Sequence, residues 1–313
     1  MPERVQRSRL HRGPLLVPLV LQQRDLVVLR DLFYYRFADT RSLDLSASWA
    51  NGSKGLQYFS KRLTHLWRAG IVERFTPAFS RYVHGSRHFL YTIGSGKASA
   101  AARTGLRPDA IPEDRWREVL AQAGPARLRA REALLAIGID GAEIDRVLHN
   151  NTVTAMRFIS GDTSGVQHHA LAAEALSTIW LRARMEGHQV DDVRPDGVAD
   201  LSFREPDPHR YRELVTADGV VVIKPDCLFT IAGQRYALEA ETGALSTTKL
   251  RLKLSRYRLL LLREPALHLL VHCATQAHAD RVSEIARASE PYAYATMAVT
   301  TPNTLAGAGA RVA

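Results

Sequence analysis

Three carboxylates are found on two neighbouring apolar runs in the C-terminal third of the chain. Asp226 opens the first run after a proline, and Glu239 and Glu241 end the second run. Because side chains at i and i+2 point to the same side of a strand, Glu239 and Glu241 are expected to face one pocket, with Asp226 beside them. Carboxylate oxygens suit Mg²⁺, which can activate water and stabilise charge on a phosphodiester. The pattern is therefore compatible with a magnesium-dependent site that has Asp226 and Glu239 as metal ligands.

The same residues allow a structural interpretation. Asp226 can cap a turn after its proline, and the glutamates can form ion pairs with Lys249, Arg251 or Lys253 of the following segment. Three acidic groups without a counter-charge would raise each other's pKa, so a cation must lie near them. The residue types do not decide whether that cation is Mg²⁺, lysine or arginine.

The segments around the carboxylates predict a mixed α/β domain with a central sheet. A helix over 166–186 carries His168, His169 and Glu174, and Glu174 could add a carboxylate to the site. The histidines are equally compatible with polar residues satisfied near a helix start. The remaining predicted elements are strands 220–223, 227–231 and 236–241, a helix over 246–263, a strand over 267–273 and a helix over 278–288.

A second group of residues, in the N-terminal third, has the pattern of a DNA-recognition helix over 54–68. An apolar stripe recurs at helical spacing through Leu56, Phe59, Leu63 and Leu66. Another face carries amide and basic side chains, namely Lys54, Gln57, Lys61, His65 and Arg68. One face can pack on partner helices while the other lies in the major groove, where glutamine reads adenine edges and lysine or arginine reads guanine or holds phosphate.

The neighbouring segments predict a winged helix-turn-helix around this helix. Two helices precede it, one ending near Phe37 and a short one that begins after Asp39. Two strand-like runs, 71–76 and 88–93, follow it and predict a hairpin. The loop of this hairpin holds Arg81 and Arg87, which are expected to reach the DNA backbone or the minor groove.

The charge of the chain is concentrated in its first third. Residues 1–100 hold 16 Lys and Arg against 6 Asp and Glu, whereas residues 101–313 hold 26 of each, so the whole excess of +10 belongs to the first 100 residues. Such a segment attracts a polyanion, most commonly nucleic acid. A solvated basic surface, or a winged helix used for protein contacts or dimerisation, remains an alternative.

The composition also bears on compartment and domain number. Two isolated cysteines in apolar runs, Cys227 and Cys273, favour a reducing compartment and predict a cytoplasmic protein without a disulfide scaffold. No apolar run reaches the length of a membrane span. The predicted α+β organisation is an N-terminal arm over 1–20, a winged helix-turn-helix over 21–97, a helical connector over 98–165, an α/β domain over 166–300 and a flexible tail over 301–313.

The C-terminal residues resemble the metal-binding part of nucleases that have a proline-aspartate and acidic-x-lysine signature. The resemblance implies a restriction-endonuclease-like core with a catalytic set of Asp226, Glu239, Glu241 and Lys253. In this chain Glu241 stands where that signature has its lysine, so the lysine would have to come from the following helix, as Lys249 or Lys253.

Both ends of the chain together resemble the replication-relaxation family of plasmids and integrated mobile elements of Gram-positive bacteria. The matching residues are Arg24-Asp25, the runs 61–74 and 89–94, Lys224-Pro225-Asp226, the run 236–243 and Lys253 with Tyr257. The resemblance implies a sequence-specific double-stranded DNA-binding protein that acts in replication or relaxation and has a degenerate nuclease-like domain. A Mg²⁺-dependent nuclease or nickase and a winged-helix transcriptional regulator are the alternatives, and a homodimer is compatible with each.

Overall fold

The structure is a computed structural model in which the chain divides into two compact units, Met1–Val166 and Gln167–Ala313. Both units combine helices with a β-sheet. The predicted connector, 98–165, falls within the first unit. In the described ranges, no helix combines the length and the apolarity that a membrane span requires. The residues described are 19–47, 53–75, 89–93, 128–159, 162, 164–288 and 296–307.

Helix α1, Gln23–Tyr35, begins the described part of the first unit. The backbone N–H of Gln22 donates to Asp25 at 2.7 Å, so a carboxylate closes the first turn, where backbone donors lack partners. The apolar face of α1 buries Val28, Leu29 and Leu32. The helix ends at Arg36, whose positive φ of 63° turns the chain into the short strand β1, Ala38–Asp39.

Helices α2, Thr40–Ala47, and α3, Ser53–Arg68, follow β1. Asp39 Oδ1 accepts the N–H of Ser42 at 2.7 Å and so caps the start of α2. Helix α3 ends at Gly70, which has a φ of +77° and allows Ile71 N–H to bond back to Leu66 at 3.0 Å.

The described strands of the first unit form one antiparallel sheet in the order β1-β3-β2. Strands β2, Val72–Phe75, and β3, Leu90–Ile93, pair with Val72 opposite Ile93 and Phe75 opposite Leu90. Strand β1 pairs with the other edge of β3. The two strands predicted to follow α3 are therefore confirmed as an antiparallel pair.

Two further helices complete the described part of the first unit. Residues 128–136 form helix α4, and α5 spans Gly141–Ile159, which is ten residues longer than the helix over 142–150 that the sequence pattern predicts. The buried guanidinium of Arg36 donates to Asn151 Oδ1 at 2.8 Å and to Thr154 Oγ1 at 3.3 Å. Helix α5 is thus bonded to the end of α1. The sequence pattern of the connector also predicts a helix over 113–123, and these residues lie outside the described part of the chain.

The second unit has a five-stranded mixed sheet at its centre. Helix α6, Ser164–Met185, leads into strand β4, Val190–Pro195. Strands β7, Cys227–Ile231, and β8, Gln234–Glu241, form a hairpin whose two turn residues, Ala232 and Gly233, both have positive φ. Helix α7, Thr247–Arg263, then crosses to strand β9, Leu267–Cys273, which runs parallel to β8.

Helix α8, Gln276–Ala288, strand β10, Met297–Thr300, and helix α9, Pro302–Gly307, end the described chain. The sheet order is β10-β9-β8-β7-β4. One core joins the apolar face of α7, including Leu250 and Leu254, to α8 and to the sheet residues Leu269 and Val271. The packing of α7 fixes the direction in which its polar side chains reach the sheet.

The strands of this unit differ from the prediction. The run 220–223 is not a strand of the central sheet, because only Val220–Val221 is extended, as β6 in a separate two-stranded sheet with β5, Phe203–Arg204. The central sheet instead gains β4 and β10, which no prediction placed. In the segment 301–313, which the sequence predicts to be a tail, residues 302–307 form α9, and Leu305 is buried.

Candidate functional site

Helix α3 divides into a buried and an exposed face, as the sequence predicts. Phe59, Leu63 and Leu66 are fully buried. The side chains of Gln57, Lys61, His65 and Arg68 are all exposed. The backbone of Lys54 lies in the helix, but its side chain is not described, and Arg81 and Arg87 lie outside the described residues. Four of the seven predicted DNA contacts are thus available to solvent on one helix.

An ion pair that the sequence analysis did not anticipate joins α3 to α1. Arg62 donates from Nε to Asp25 Oδ1 at 2.8 Å and makes a second contact from Nη2 to Oδ2. Asp25 is completely buried, and its carboxylate raises the pKa of Arg62 through their hydrogen bond. This bidentate pair fixes the orientation of α3, since it lies on the inner side of the helix.

Tyr58 is an exposed aromatic residue on the same helix that the sequence analysis missed. Its side chain is 69% exposed, and Lys61 Nζ lies 5.6 Å from the centre of its ring. Its position three residues before Lys61 would have identified it, because residues at this spacing are neighbours on the helix surface.

The hairpin of the second unit places two of the predicted carboxylates opposite each other. Strand β7 pairs with β8 so that Cys227 faces Leu238, which sets Asp226 across from Glu239. Asp226 N–H donates to Leu238 O at 2.9 Å, and Asp226 Oδ2 accepts Ala240 N–H at 2.7 Å. The backbone of the neighbouring strand therefore holds Asp226 in position.

Helix α7 brings a lysine and a tyrosine to Glu239. Lys253 Nζ lies 2.5 Å from Glu239 Oε2, and the Tyr257 hydroxyl donates to Glu239 Oε1 at 2.5 Å. The two residues are one helical turn apart, so they reach the same carboxylate. The cation beside Glu239 therefore comes from Lys253 on α7, because Glu241 occupies the strand position where the nuclease signature has its lysine.

His168 on α6 is the partner of Asp226. Its Nε2 lies 2.6 Å from Asp226 Oδ1. The neighbouring His169 is buried, and its Nε2 lies 3.9 Å from Asp196. The two histidines therefore have different carboxylate partners. His168 belongs with Asp226, Glu239, Lys253 and Tyr257, and we call these five residues the carboxylate cluster.

Glu241 does not complete a three-carboxylate site. Its Oε1 accepts Gly243 N–H at 2.8 Å at the end of β8. Among the described residues, no three His, Cys, Asp or Glu side chains are grouped closely enough to hold a metal ion, so neither Glu241 nor Glu174 joins Asp226 and Glu239 in such a set. The expected convergence of three carboxylates on one metal position is therefore not found among the described residues.

Asp226 and Glu239 nevertheless fit Mg²⁺ in the type of their donors. Mg²⁺ is commonly held by one or two carboxylates, with water and substrate phosphate completing its coordination. The hydrogen bonds of His168, Ala240, Lys253 and Tyr257 occupy one position on each carboxylate oxygen, and each oxygen has a second lone pair.

The electrostatics of the carboxylate cluster follow from burial and opposite charges. Burial opposes ionisation of Asp226, but the charge and hydrogen bond of His168 outweigh it and lower the pKa of Asp226. Asp226 in turn raises the pKa of His168 to about 9. Burial raises the pKa of Glu239 to about 7, against the opposing effect of Lys253. Burial disfavours the charged Lys253, yet Glu239 and Asp226 raise its pKa. Two cations thus balance two acidic groups.

A pocket of about 420 Å³ opens beside Glu239 between α7 and the chain that leads to Asp226, and we call it the α7 pocket. Its basic residues are Lys224, Lys249, Lys253 and Arg256. Its apolar residues are Val222, Ile223, Leu245 and Leu252, with Tyr257 beside Glu239. The repeat of basic residues at i, i+4 and i+7 on α7 is a sequence signal that would have identified this surface.

Comparison with known proteins does not assign either site. No family model matches the chain, and no curated protein and no solved structure matches it. The function must therefore be argued from the two surfaces themselves.

Proposed function

We propose that this chain binds double-stranded DNA through the exposed face of α3. The observation that supports the proposal best is that Gln57, Lys61 and Arg68 are exposed while the opposite stripe of the helix is buried. A helix with this division can enter the major groove, where an amide reads adenine and a cation reads guanine or holds phosphate.

The order of elements in the first unit supports the same proposal. The sequence α1-β1-α2-α3-β2-β3, with β1 paired to β3, is typical of a winged helix-turn-helix. In that arrangement Arg81 and Arg87 would lie in the wing, and this remains a prediction. The excess charge of the first 100 residues, 16 basic against 6 acidic, would attract the duplex.

The resemblance to the replication-relaxation family extends the proposal to a biological role. Under it, the chain binds a specific site on a plasmid or mobile element and acts in replication or relaxation. Selection of bound fragments from random duplex DNA tests this extension: a shared sequence among the recovered fragments is expected, and recovery without any shared sequence would contradict it.

A salt titration of the full chain on duplex DNA tests binding through α3. Each lost phosphate contact should lower the slope of log affinity against log salt by about one unit, so Lys61→Gln and Arg68→Gln should each show this change. Arg157→Gln is the matched control, because Arg157 is also exposed in the first unit but lies on α5. Affinity that hardly changes with salt, or slopes equal to that of the control, would refute the proposal.

A second candidate function is a Mg²⁺-dependent nuclease formed by the second unit. The favouring observation is that Lys253 reaches Glu239 with Asp226 opposite. The elements of the central sheet follow one another as α6-β4-β7-β8-α7-β9, which is compatible with the predicted restriction-endonuclease-like core. Mg²⁺ on Asp226 and Glu239 would supply charge stabilisation at a phosphodiester. Lys253 would hold a phosphate oxygen, and Tyr257 and His168 would orient the two carboxylates.

Incubation of supercoiled plasmid with the protein and Mg²⁺ distinguishes the two candidates. Nicking that disappears in Asp226→Asn and persists in Asp191→Asn, which changes an exposed carboxylate on β4, supports the nuclease. An absence of nicking by the unaltered chain, with duplex binding intact, would leave the second unit as a degenerate nuclease-like domain.

A further inference from the structure

The α7 pocket has more basic side chains than are needed to neutralise the carboxylate that lines it. It has four basic side chains and one carboxylate, Glu239. Lys253 is paired with Glu239, whereas no described carboxylate forms an ion pair with Lys224, Lys249 or Arg256. Asp200 is near enough to Lys224 for their charges to interact but does not form an ion pair with it. The pocket is therefore suited to an anion.

The positions of the basic groups favour a phosphate. Lys249, Lys253 and Arg256 project from one face of α7, and Lys224 approaches from the segment before Asp226. Arg256 lines the pocket, and its Nε donates to Leu214 O at 3.2 Å, which restricts the position of the guanidinium. Several converging donors of this kind are typical of phosphate recognition.

The remaining surface of the pocket favours an apolar ring next to that phosphate. Val222, Leu245 and Leu252 line it together with Tyr257. Its volume of about 420 Å³ lies in the range of pockets that bind small organic molecules, about 300–1,000 Å³. A base inside a duplex is stacked and paired, so only an unpaired base can enter a concave site.

We propose that the α7 pocket binds one nucleotide of an unpaired DNA strand, with the phosphate on Lys224, Lys249 and Arg256 and the base against Leu245 and Leu252. The identification of the polymer as DNA rests on the proposed function of the first unit. The binding chemistry is that of a nucleoside monophosphate, which a strand or a free nucleotide can supply. The carboxylate cluster would then lie directly beside the bound phosphate.

Fluorescence anisotropy with the full chain and a labelled single-stranded oligonucleotide tests the proposal. The double variant Lys224→Gln and Lys249→Gln should bind the strand about ten-fold more weakly, because two phosphate contacts are lost. Arg251→Gln is the matched control, since Arg251 is exposed on α7 but does not line the pocket. Equal affinities of the double variant and the control would overturn the proposal.

A strand of the same length made of abasic residues tests the role of the base. It should bind about ten-fold more weakly than the natural strand, because base contacts contribute substantially to single-strand affinity. Equal binding of the two strands would overturn the pocket as a base site. Competition by free deoxynucleoside monophosphate distinguishes the sources: displacement of the strand only at a large excess is expected, and tighter binding of the free nucleotide than of the strand would overturn the assignment to a strand.

The Lys61→Gln variant separates this proposal from the proposed function. It should weaken duplex binding and leave single-strand binding unchanged, whereas the pocket variant should do the reverse. Single-strand binding with no duplex binding would refute duplex binding through α3 and support the α7 pocket as a strand site. Duplex binding with no single-strand binding would support the first proposal and refute the second.

Discussion

Each unit of the chain buries a carboxylate against a cation from another element, but the two pairs have different surroundings. Asp25 is completely buried, and Arg62 is 17% exposed. Glu239 is also buried, whereas Lys253 is 31% exposed at the α7 pocket. The first pair joins two packed helices. The second faces a cavity and has further cations around it. The same ion-pair chemistry thus serves packing in one unit and forms a candidate site in the other.

The largest effect that tests this comparison is expected from Arg62→Met. Removing the guanidinium leaves Asp25 buried without its cation, which should cost about 3–5 kcal/mol of unfolding free energy. Amide hydrogen exchange in α1 and α3 of the full chain would measure the loss. Arg131→Met is the control, since its pair with Asp145 is exposed to solvent and should contribute far less to stability. Similar losses in the two variants would contradict the comparison.

A smaller effect is expected from Lys253→Met in the second unit. Glu239 keeps the hydrogen bond from Tyr257, and water can enter from the pocket, so the loss should be about 1–2 kcal/mol. Exchange of the amides in α7 and β8 would measure it. A loss of unfolding free energy as large as that of Arg62→Met would show that water reaches the pair of Lys253 and Glu239 no more easily than the pair of Arg62 and Asp25.

The smallest difference in unfolding free energy is expected between variants of two helix-capping residues. Ser246 Oγ accepts Lys249 N–H at 3.3 Å at the exposed start of α7. Ser246→Ala should therefore lower the unfolding free energy by about 0.5–1 kcal/mol, at the low end of the range for caps. Asp39→Ala at the start of α2, where the cap is a carboxylate at 2.7 Å, should cost somewhat more, about 1–2 kcal/mol. Urea unfolding of both variants measures the order, and a larger loss for Ser246→Ala would reverse it.

The first unit could be predicted well because its local patterns are strong. The apolar spacing of Phe59, Leu63 and Leu66 fixes both the helix and its buried face, and the cap at Asp39 and the turn at Gly70 mark helix ends. The pairing of Asp25 with Arg62 could not be predicted, since it joins residues far apart in the chain and each is also a common surface residue.

The strands of the second unit are harder to predict from the sequence, because its edge strands have weak hydrophobic patterns. Strand β4 has three exposed polar residues, Asp191, Asp192 and Arg194, and the register of its pairing shifts between Asp191 and Arg194. Such an edge strand does not show the alternation by which strands are recognised. The carboxylates were identified from their positions on β7 and β8, but whether Lys249 or Lys253 reached them depended on the packing of α7.

Arg36 has a practical consequence for work on the first unit alone. Its guanidinium is buried and bonded to Asn151 and Thr154 of α5. A fragment that stopped after β3 would lose both of these acceptors, although the predicted domain boundary near residue 97 suggests a cut there. Dissection of the protein should therefore retain α5, and a peptide covering 141–159, added back in trans, is the natural complement for a shorter fragment.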